Sequence, residues 1–325
     1  ISCQSCNSNK KPKDETEIAS DSISDIEKLS LQIRENPRQH ELFVKRASFY
    51  YQEGQIEDAI NDMEIALRLD SLNPNYLVTI SDYYLLRGKS EKSKEALDKC
   101  LSAYPDNVEA RFRLAQLYFY VKDYDKALSQ VFEIEKLGKQ DDKSYYLKAL
   151  IFIEYKVFNG AVESLRKVIE YNPEHYEAHN MLGMLYYERN DKLAVEYFNT
   201  AVRLFPENLL ILLNAGLCYE KFDMPERSFE MYEKALEIDK NDYQANYNMG
   251  YYQLVYAEDY EFAVDYFTEA IKQRPNAYEA YYNRGYAWEN MQNFQKAKQD
   301  YNKVMEIVPN FDKAVSALNR IDLKQ

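Results

Sequence analysis

A period of about 34 residues runs through most of this 325-residue chain and leaves few folds open to it. The small residues Ala59, Ser93, Ala127, Ala161, Ala194, Ser228, Ala263 and Ala297 follow one another at separations of 34, 34, 34, 33, 34, 35 and 34. Seven positions after each come Ala66, Cys100, Ile134, Val168, Ala201, Ala235, Ala270 and Val304. Upstream, Gly183, Gly216, Gly250 and Gly285 keep the same beat, as do Pro173, Pro206, Pro275 and Pro309. Self-similarity at this length marks an array of supersecondary units, each covering the apolar face of the next.

Within one unit the spacing reads as two helices. In "NAYEAYYNRGYAWENMQNFQKAKQDYNKVMEIVP" the large residues Tyr281, Tyr282, Tyr286 and Trp288 fill a first helix. A polar "NMQN" turn follows, and Phe294, Ala297, Tyr301 and Val304 recur at helical spacing in a second helix. Gly285 in mid-helix costs about 1 kcal/mol relative to alanine. A close approach of the paired helix at that point offsets the cost. Pro309 ends the unit, because proline cannot continue a helix. The composition agrees: 31 tyrosines against 8 glycines suit aromatic packing between helices and few sharp turns.

This pattern resembles the tetratricopeptide repeat, over about residues 38 to 309, as eight units. "NMGYYQLVYAEDYEFAVDYFTEAIKQRP" and "NVEARFRLAQLYFYVKDYDKALSQVFEIEK" carry it most clearly. The second unit departs most, with Ser81 and Ser93 at two small positions. The seventh has one extra residue around "VYAEDYE" and the fifth lacks one near "ERNDKLA", so both turns are expected to be irregular. The resemblance implies an all-α fold, a right-handed α-solenoid (superhelix) of helix-turn-helix units. Repeat arrays close their ends with polar faces. "SDIEKLSLQIRENP" reads as an N-terminal capping helix over residues 22–37, with Ser24 and Glu27 at capping-box spacing and Ile26, Leu29 and Ile33 as its apolar stripe. The eight units then occupy 38–310, and residues 311–325 read as a C-terminal cap, with Phe311, Val315, Leu318 and Ile321 facing in and Lys313, Asn319, Arg320 and Lys324 facing out.

Residues 1–21 have no apolar periodicity and read as a flexible polar tether. Two of the four cysteines, Cys3 and Cys6, fall within it. A zinc or redox reading of "CQSC" lacks partners, since a structural zinc site takes four ligands and Cys100 and Cys218 sit at core-facing repeat positions. The alternative is that "ISC" resembles the end of a bacterial lipoprotein signal, with Ile1 and Ser2 preceding a lipidated Cys3; the sequence then begins two residues ahead of that cysteine, inside an uncleaved precursor. A two-chain lipid anchor is enough for stable membrane attachment. The expectation is an outer-membrane lipoprotein of a bacterial envelope, facing the periplasm and touching the membrane through the anchor only; the alternative is a cytoplasmic protein.

No enzyme signature stands out, and neither a cofactor nor a metal site is expected. His175 and His179 in "EHYEAH" are four apart, but Tyr176 stands where a zinc protease needs glutamate. The carboxylates read as solvated outer surface. A formal charge of −13 opposes nucleic-acid binding, whose phosphates it would repel.

For a tetratricopeptide array the resemblance implies a protein or peptide partner in the groove lined by the first helices. Two residues before the small position lie Asn214, Asn248 and Asn283, with Asn180 displaced by one. They resemble the asparagine ladders of peptide-binding tetratricopeptide arrays, in which amides grip an extended backbone as donor and acceptor at once. The competing reading is that these asparagines only stabilise neighbouring loops. Phe112, Phe119, Tyr120, Tyr146, Tyr187, Tyr247, Tyr251, Tyr282 and Tyr286 are aromatic groove candidates, about half of them expected to be partly buried in the stack. The carboxylate clamp of chaperone-binding relatives is not supported, since Val44, Ser48, Phe112 and Gln116 stand where its lysines and arginines would be. The two functional readings are a membrane-anchored scaffold that recruits partners in envelope assembly or secretion, and a soluble peptide-binding chaperone or adaptor.

Overall fold

In the computed structural model, which describes residues 24–323, eighteen α-helices and no strand are found among the described residues. Cys3, Cys6 and the rest of the expected tether lie outside the described residues, as does Lys324. A lone helix α1 (Asp25–Glu35) comes first. Paired helices follow: α2 (His40–Gln52) with α3 (Ile56–Leu69), α4 (Pro74–Leu86) with α5 (Ser90–Ala103), and α6 (Val108–Tyr120) with α7 (Tyr124–Lys136). Next come α8 (Asp142–Glu154) with α9 (Phe158–Tyr171), α10 (Tyr176–Glu188) with α11 (Leu193–Leu204), and α12 (Leu209–Lys221) with α13 (Pro225–Ile238). The series ends with α14 (Tyr243–Val255) and α15 (Tyr260–Gln273), α16 (Tyr278–Asn290) and α17 (Phe294–Ile307), and a single α18 (Asp312–Asp322). The chain divides into two compact units, 1–133 and 134–325.

The sequence explains the starts and stops of these helices. Five of the first helices open on Asn or Asp caps: Asn73, Asn107, Asp141, Asn208 and Asp242 each accept from a backbone N–H of the first turn. Ser24 and Glu27 form the full capping box of α1. The turn inside each repeat needs one residue in the left-handed region. Gly54 and Gly88 supply it in the first two repeats; Lys122, Lys156, Asn190, Asp223, Glu258 and Gln292 take that conformation in the other six, with φ of 53–62°. The two irregular turns look as their lengths require. α11 is shortened to 12 residues and the Lys192 before it supplies no side-chain cap, while Tyr256 to Glu258 take up the extra residue before α15.

Packing inside a repeat is set by the small positions. A methyl group on Gly285 would stand 2.9 Å from the Tyr301 ring, so the first helix can lie against the aromatic of the second only without a side chain there. Gly216 faces the Tyr232 ring in the same way. In the first unit Met63, Leu77, Ile80, Leu97 and Leu117 build the core. In the second, Leu165, Phe198, Leu212, Tyr219 and Tyr232 do so, and a further cluster joins Tyr301 and Val304 to α18.

Two expectations about exposure need correction. At α18 Ala314, Ala317 and Ile321 are buried and Phe311 and Leu318 pack half-buried against them, as expected, but Arg320 does not simply face solvent: it forks onto Glu289 of α16. Nor are all carboxylates solvated. Asp62, Glu289 and Asp300 are buried, each held by an arginine. A buried carboxylate is tolerated only when paired and hydrogen-bonded.

Candidate functional site

In the second unit the first helices touch one another directly, α10 against α12 and α14 against α16, while no pair of second helices packs as closely. That makes the first helices the inner wall. Side chains tie it together from repeat to repeat. Asn214 Nδ2 donates to Asn180 Oδ1 at 3.2 Å, and both amides approach Met184 Sδ, at 3.7 and 4.0 Å. Asn283 Nδ2 donates to the Tyr247 hydroxyl at 3.0 Å. Asn248 Oδ1 accepts from Gln244 at 2.8 Å, which leaves its own buried Nδ2 unpartnered. Lys221 Nζ donates to the Tyr187 carbonyl at 2.6 Å and lies 4.1 Å from that ring's centre.

The asparagines therefore occupy the inner wall as two linked amides and two separate ones. Asn180, one residue out of phase in the sequence, is nonetheless the partner of Asn214. Asn180 and Asn248 are buried, Asn214 and Asn283 half-buried. Among the aromatic candidates, Phe112, Phe119, Tyr146, Tyr187, Tyr247, Tyr251 and Tyr282 are half-buried, and only Tyr120 and Tyr286 are exposed, at 73% and 41%. Phe112, Phe119 and Tyr120 belong to the first unit and the others to the second. Burial pushes the Tyr247 phenol up to about 12, so it remains a neutral donor and acceptor at physiological pH.

Several inner-wall residues were not singled out by the sequence. Met184 and Leu210 are 41% and 62% exposed, and Met184 borders a cleft of about 430 Å³ shared with Ile153, Val157, Met181, Leu185 and Arg189. The guanidinium of Arg189 lies 3.9 Å over the Phe158 ring at its rim. Methionine adapts its shape to varied partners, which suits such a surface. Glu220, near the end of α12, is half-buried and bonded by the Tyr232 hydroxyl at 3.2 Å. Burial raises its carboxyl above the ordinary glutamate range, against the Tyr232 bond. The two histidines have local roles: His175 caps α10, and His179 Nε2 lies 3.0 Å from the Pro173 carbonyl. Cys100 and Cys218 are buried free thiols.

Four family models match, all described as tetratricopeptide repeat, over residues 84–151, 158–193, 210–242 and 278–311, together more than half of the chain. The chain belongs to the tetratricopeptide-repeat family. Among curated relatives, a TPR repeat-containing protein YpiA of Bacillus subtilis is 27% identical over 44% of this chain and 32% of its own length. The BBSome complex member BBS4 of Bos taurus is 22% identical over 81% of this chain and 57% of its length. The Hsp70-Hsp90 organizing protein of Triticum aestivum is 24% identical over 70% and 39%. The chain thus spans between a third and just over half of these relatives. Of solved structures, the C-terminal part of a TPR repeat-containing protein from Cytophaga hutchinsonii aligns with a TM-score of 0.63 at 15% identity, over 74% of this chain and 99% of that one. YrrB, described as a TPR protein with an unusual peptide-binding site, gives 0.52 at 22% identity over 58% and 97%. These likenesses show the fold. Tetratricopeptide proteins are protein-interaction scaffolds that bind protein or peptide partners, and members of the family are generally non-enzymatic adaptors.

Proposed function

We propose that the inner wall of the second unit holds a segment of a protein partner, and that the chain is an envelope lipoprotein, attached at Cys3, that recruits this partner to a membrane-associated assembly. The observation that carries the groove reading is the placement of exposed apolar side chains, Met184, Leu210 and Tyr286, on the same helices as the amides Asn180, Asn214 and Asn283 respectively. Apolar anchors beside donors and acceptors are what a bound backbone with alternating side chains requires. The anchor is supported by "ISC" and the polar stretch after it. The test is a mild-detergent pull-down with cross-linking and mass spectrometry, comparing wild type with Met184→Glu/Leu210→Glu and with Cys3→Ser. One membrane complex, lost in the groove variant and displaced to the soluble fraction by Cys3→Ser, is the expected result. A diffuse set of soluble clients would favour the chaperone reading, and recovery unchanged by the groove variant would move the binding face elsewhere.

A further inference from the structure

The same carboxylate–phenol pair occurs twice in the second unit, and only one copy is occupied. In α16 and α17, Glu289 Oε2 accepts from the Tyr301 hydroxyl at 3.1 Å. In α12 and α13, Glu220 Oε2 accepts from the Tyr232 hydroxyl at 3.2 Å. Both pairs are 12 residues apart and take the same positions in their repeats. At the corresponding places the other six repeats have neither the glutamate nor the tyrosine together: Phe198 faces Gly183 and Phe267 faces Gly250, where Tyr232 and Tyr301 face their glycines.

What differs is the third member. On Glu289, Arg320 of α18 places Nε 2.7 Å from one carboxylate oxygen and Nη2 2.7 Å from the other. Arg320 comes 31 residues after Glu289; the residue 31 after Glu220 is Tyr251, which cannot supply a charge. Nothing else does. Lys221, the adjacent cation, is committed to the Tyr187 carbonyl, and Arg227 to Asn199 and the Tyr219 ring. Among the described residues Glu220 has one hydrogen bond, from Tyr232, and no ion pair. The phenols of Tyr187 and Tyr256, raised first by burial, are raised further by its charge, which puts both aromatic side chains in its vicinity. A guanidinium matches such a setting: it forks onto a carboxylate and stacks on aromatic faces.

We propose that Glu220, backed by Tyr232, is a receptor for an arginine side chain of the bound polypeptide, which docks there as Arg320 docks on Glu289 within the chain. This rests on the inner wall being the partner surface and adds a chemical requirement to it: a basic residue in the partner segment. Met184 on α10 and Leu210, at the opposite end of α12 from Glu220, would take apolar side chains further along the same segment.

The experiment is a titration of the whole protein with N-acetyl-arginine amide, followed by NMR of ¹³C-labelled glutamate carboxylates, with N-acetyl-citrulline amide as the uncharged control. A saturable shift of the Glu220 signal with the arginine derivative alone is expected, at least tenfold weaker in affinity for Glu220→Gln. Tyr251→Arg copies the capped arrangement and should block the site from within, again by at least tenfold. Equal response to citrulline, no saturable shift at Glu220, or binding unchanged in both Glu220→Gln and Tyr251→Arg would overturn the proposal. If partner capture still depends on Met184 and Leu210 in that event, the groove reading stands without it; if capture is independent of them while Glu220 binds arginine, the groove reading fails alone.

Discussion

The guanidinium of Arg284 meets both carboxylate oxygens of Asp300, at 2.9 and 2.7 Å, while its remaining nitrogen donates to the Thr268 hydroxyl at 3.0 Å. Arg46 does the same with Asp62, at 2.6 and 2.7 Å, and with the Ser30 hydroxyl at 2.8 Å. Each arginine lies 16 residues before its aspartate and 16 after its hydroxyl partner. The first and last repeats thus carry one ion-paired link that ties a first helix to its own second helix and to the preceding helix.

Removing one member of such a buried pair strands the other. Asp300→Ala is expected to destabilise the C-terminal repeats by about 3–5 kcal/mol, and the double change Arg284→Met/Asp300→Leu to recover most of that loss. Urea unfolding followed by probes at each end is the measurement, because a repeat array need not melt as one step. A double variant as weak as Asp300→Ala would show that the hydroxyl link, not the ion pair, carries the effect.

The close contacts at the glycine positions make a second set. Gly285→Ala drives a methyl group against the Tyr301 ring, with an expected cost of about 1–3 kcal/mol. Tyr301→Leu in the same chain makes room and should return part of that loss, although it also removes the hydroxyl from Glu289. Thermal unfolding of the single and double variants gives the coupling, and strictly additive losses would contradict a direct clash.

How far these features can be read in the sequence depends on whether they repeat. The helix pairs, the small positions and the glycines recur every 34 residues, and periodicity exposes them. Arg46 with Asp62 and Arg284 with Asp300 occur in the first and eighth repeats, and Glu220 with Tyr232 and Glu289 with Tyr301 in the sixth and eighth; a search for what all eight units share passes over them. The signal was present as a paired substitution: arginine and aspartate 16 apart, glutamate and tyrosine 12 apart, each arising together. A helical wheel puts Arg320 on the outer face of α18 because it counts polarity, while a long side chain can return from the edge of that face to a buried carboxylate. The asparagine spacing puts all four amides on first helices, but which amides meet depends on side-chain direction between neighbouring helices. No periodic count shows that Asn180 reaches Asn214.

The turn inside each repeat offers a stabilising change. Lys122, Lys156 and Gln292 hold positive φ where the first two repeats have glycine. The left-handed region costs a non-glycine residue about 1–2 kcal/mol, and glycine returns about half of that gain through its greater freedom in the unfolded chain. Lys122→Gly or Gln292→Gly should therefore raise stability by up to about 1 kcal/mol, read as a higher urea midpoint at unchanged slope. Gly54→Ala should move the midpoint the other way.

The tyrosines give the fold an alkaline limit. Burial, followed by the charge of Glu220, holds the Tyr232 phenol far above its ordinary value, and burial with the charge of Glu289 does the same to Tyr301. Burial takes Tyr247 to about 12 and the Cys218 thiol to about 11. In each case the folded group keeps its proton where the unfolded one has lost it, so above about pH 10 the unfolded chain binds fewer protons and stability falls as pH rises. A fully buried phenol contributes a slope of about 1.4 kcal/mol per pH unit in that window. His179 acts on the other side: burial lowers its pKa, so its contribution is present above about 6.5 and is lost as the pH falls through its folded value. Urea midpoints measured from pH 5 to 11 should show a broad plateau, a shallow acid decline removed by His179→Gln, and a steeper alkaline decline. Replacing Tyr232 and Tyr301 by phenylalanine should flatten the alkaline arm even where it lowers the plateau; an unchanged alkaline slope would mean that these phenols ionise without unfolding the chain.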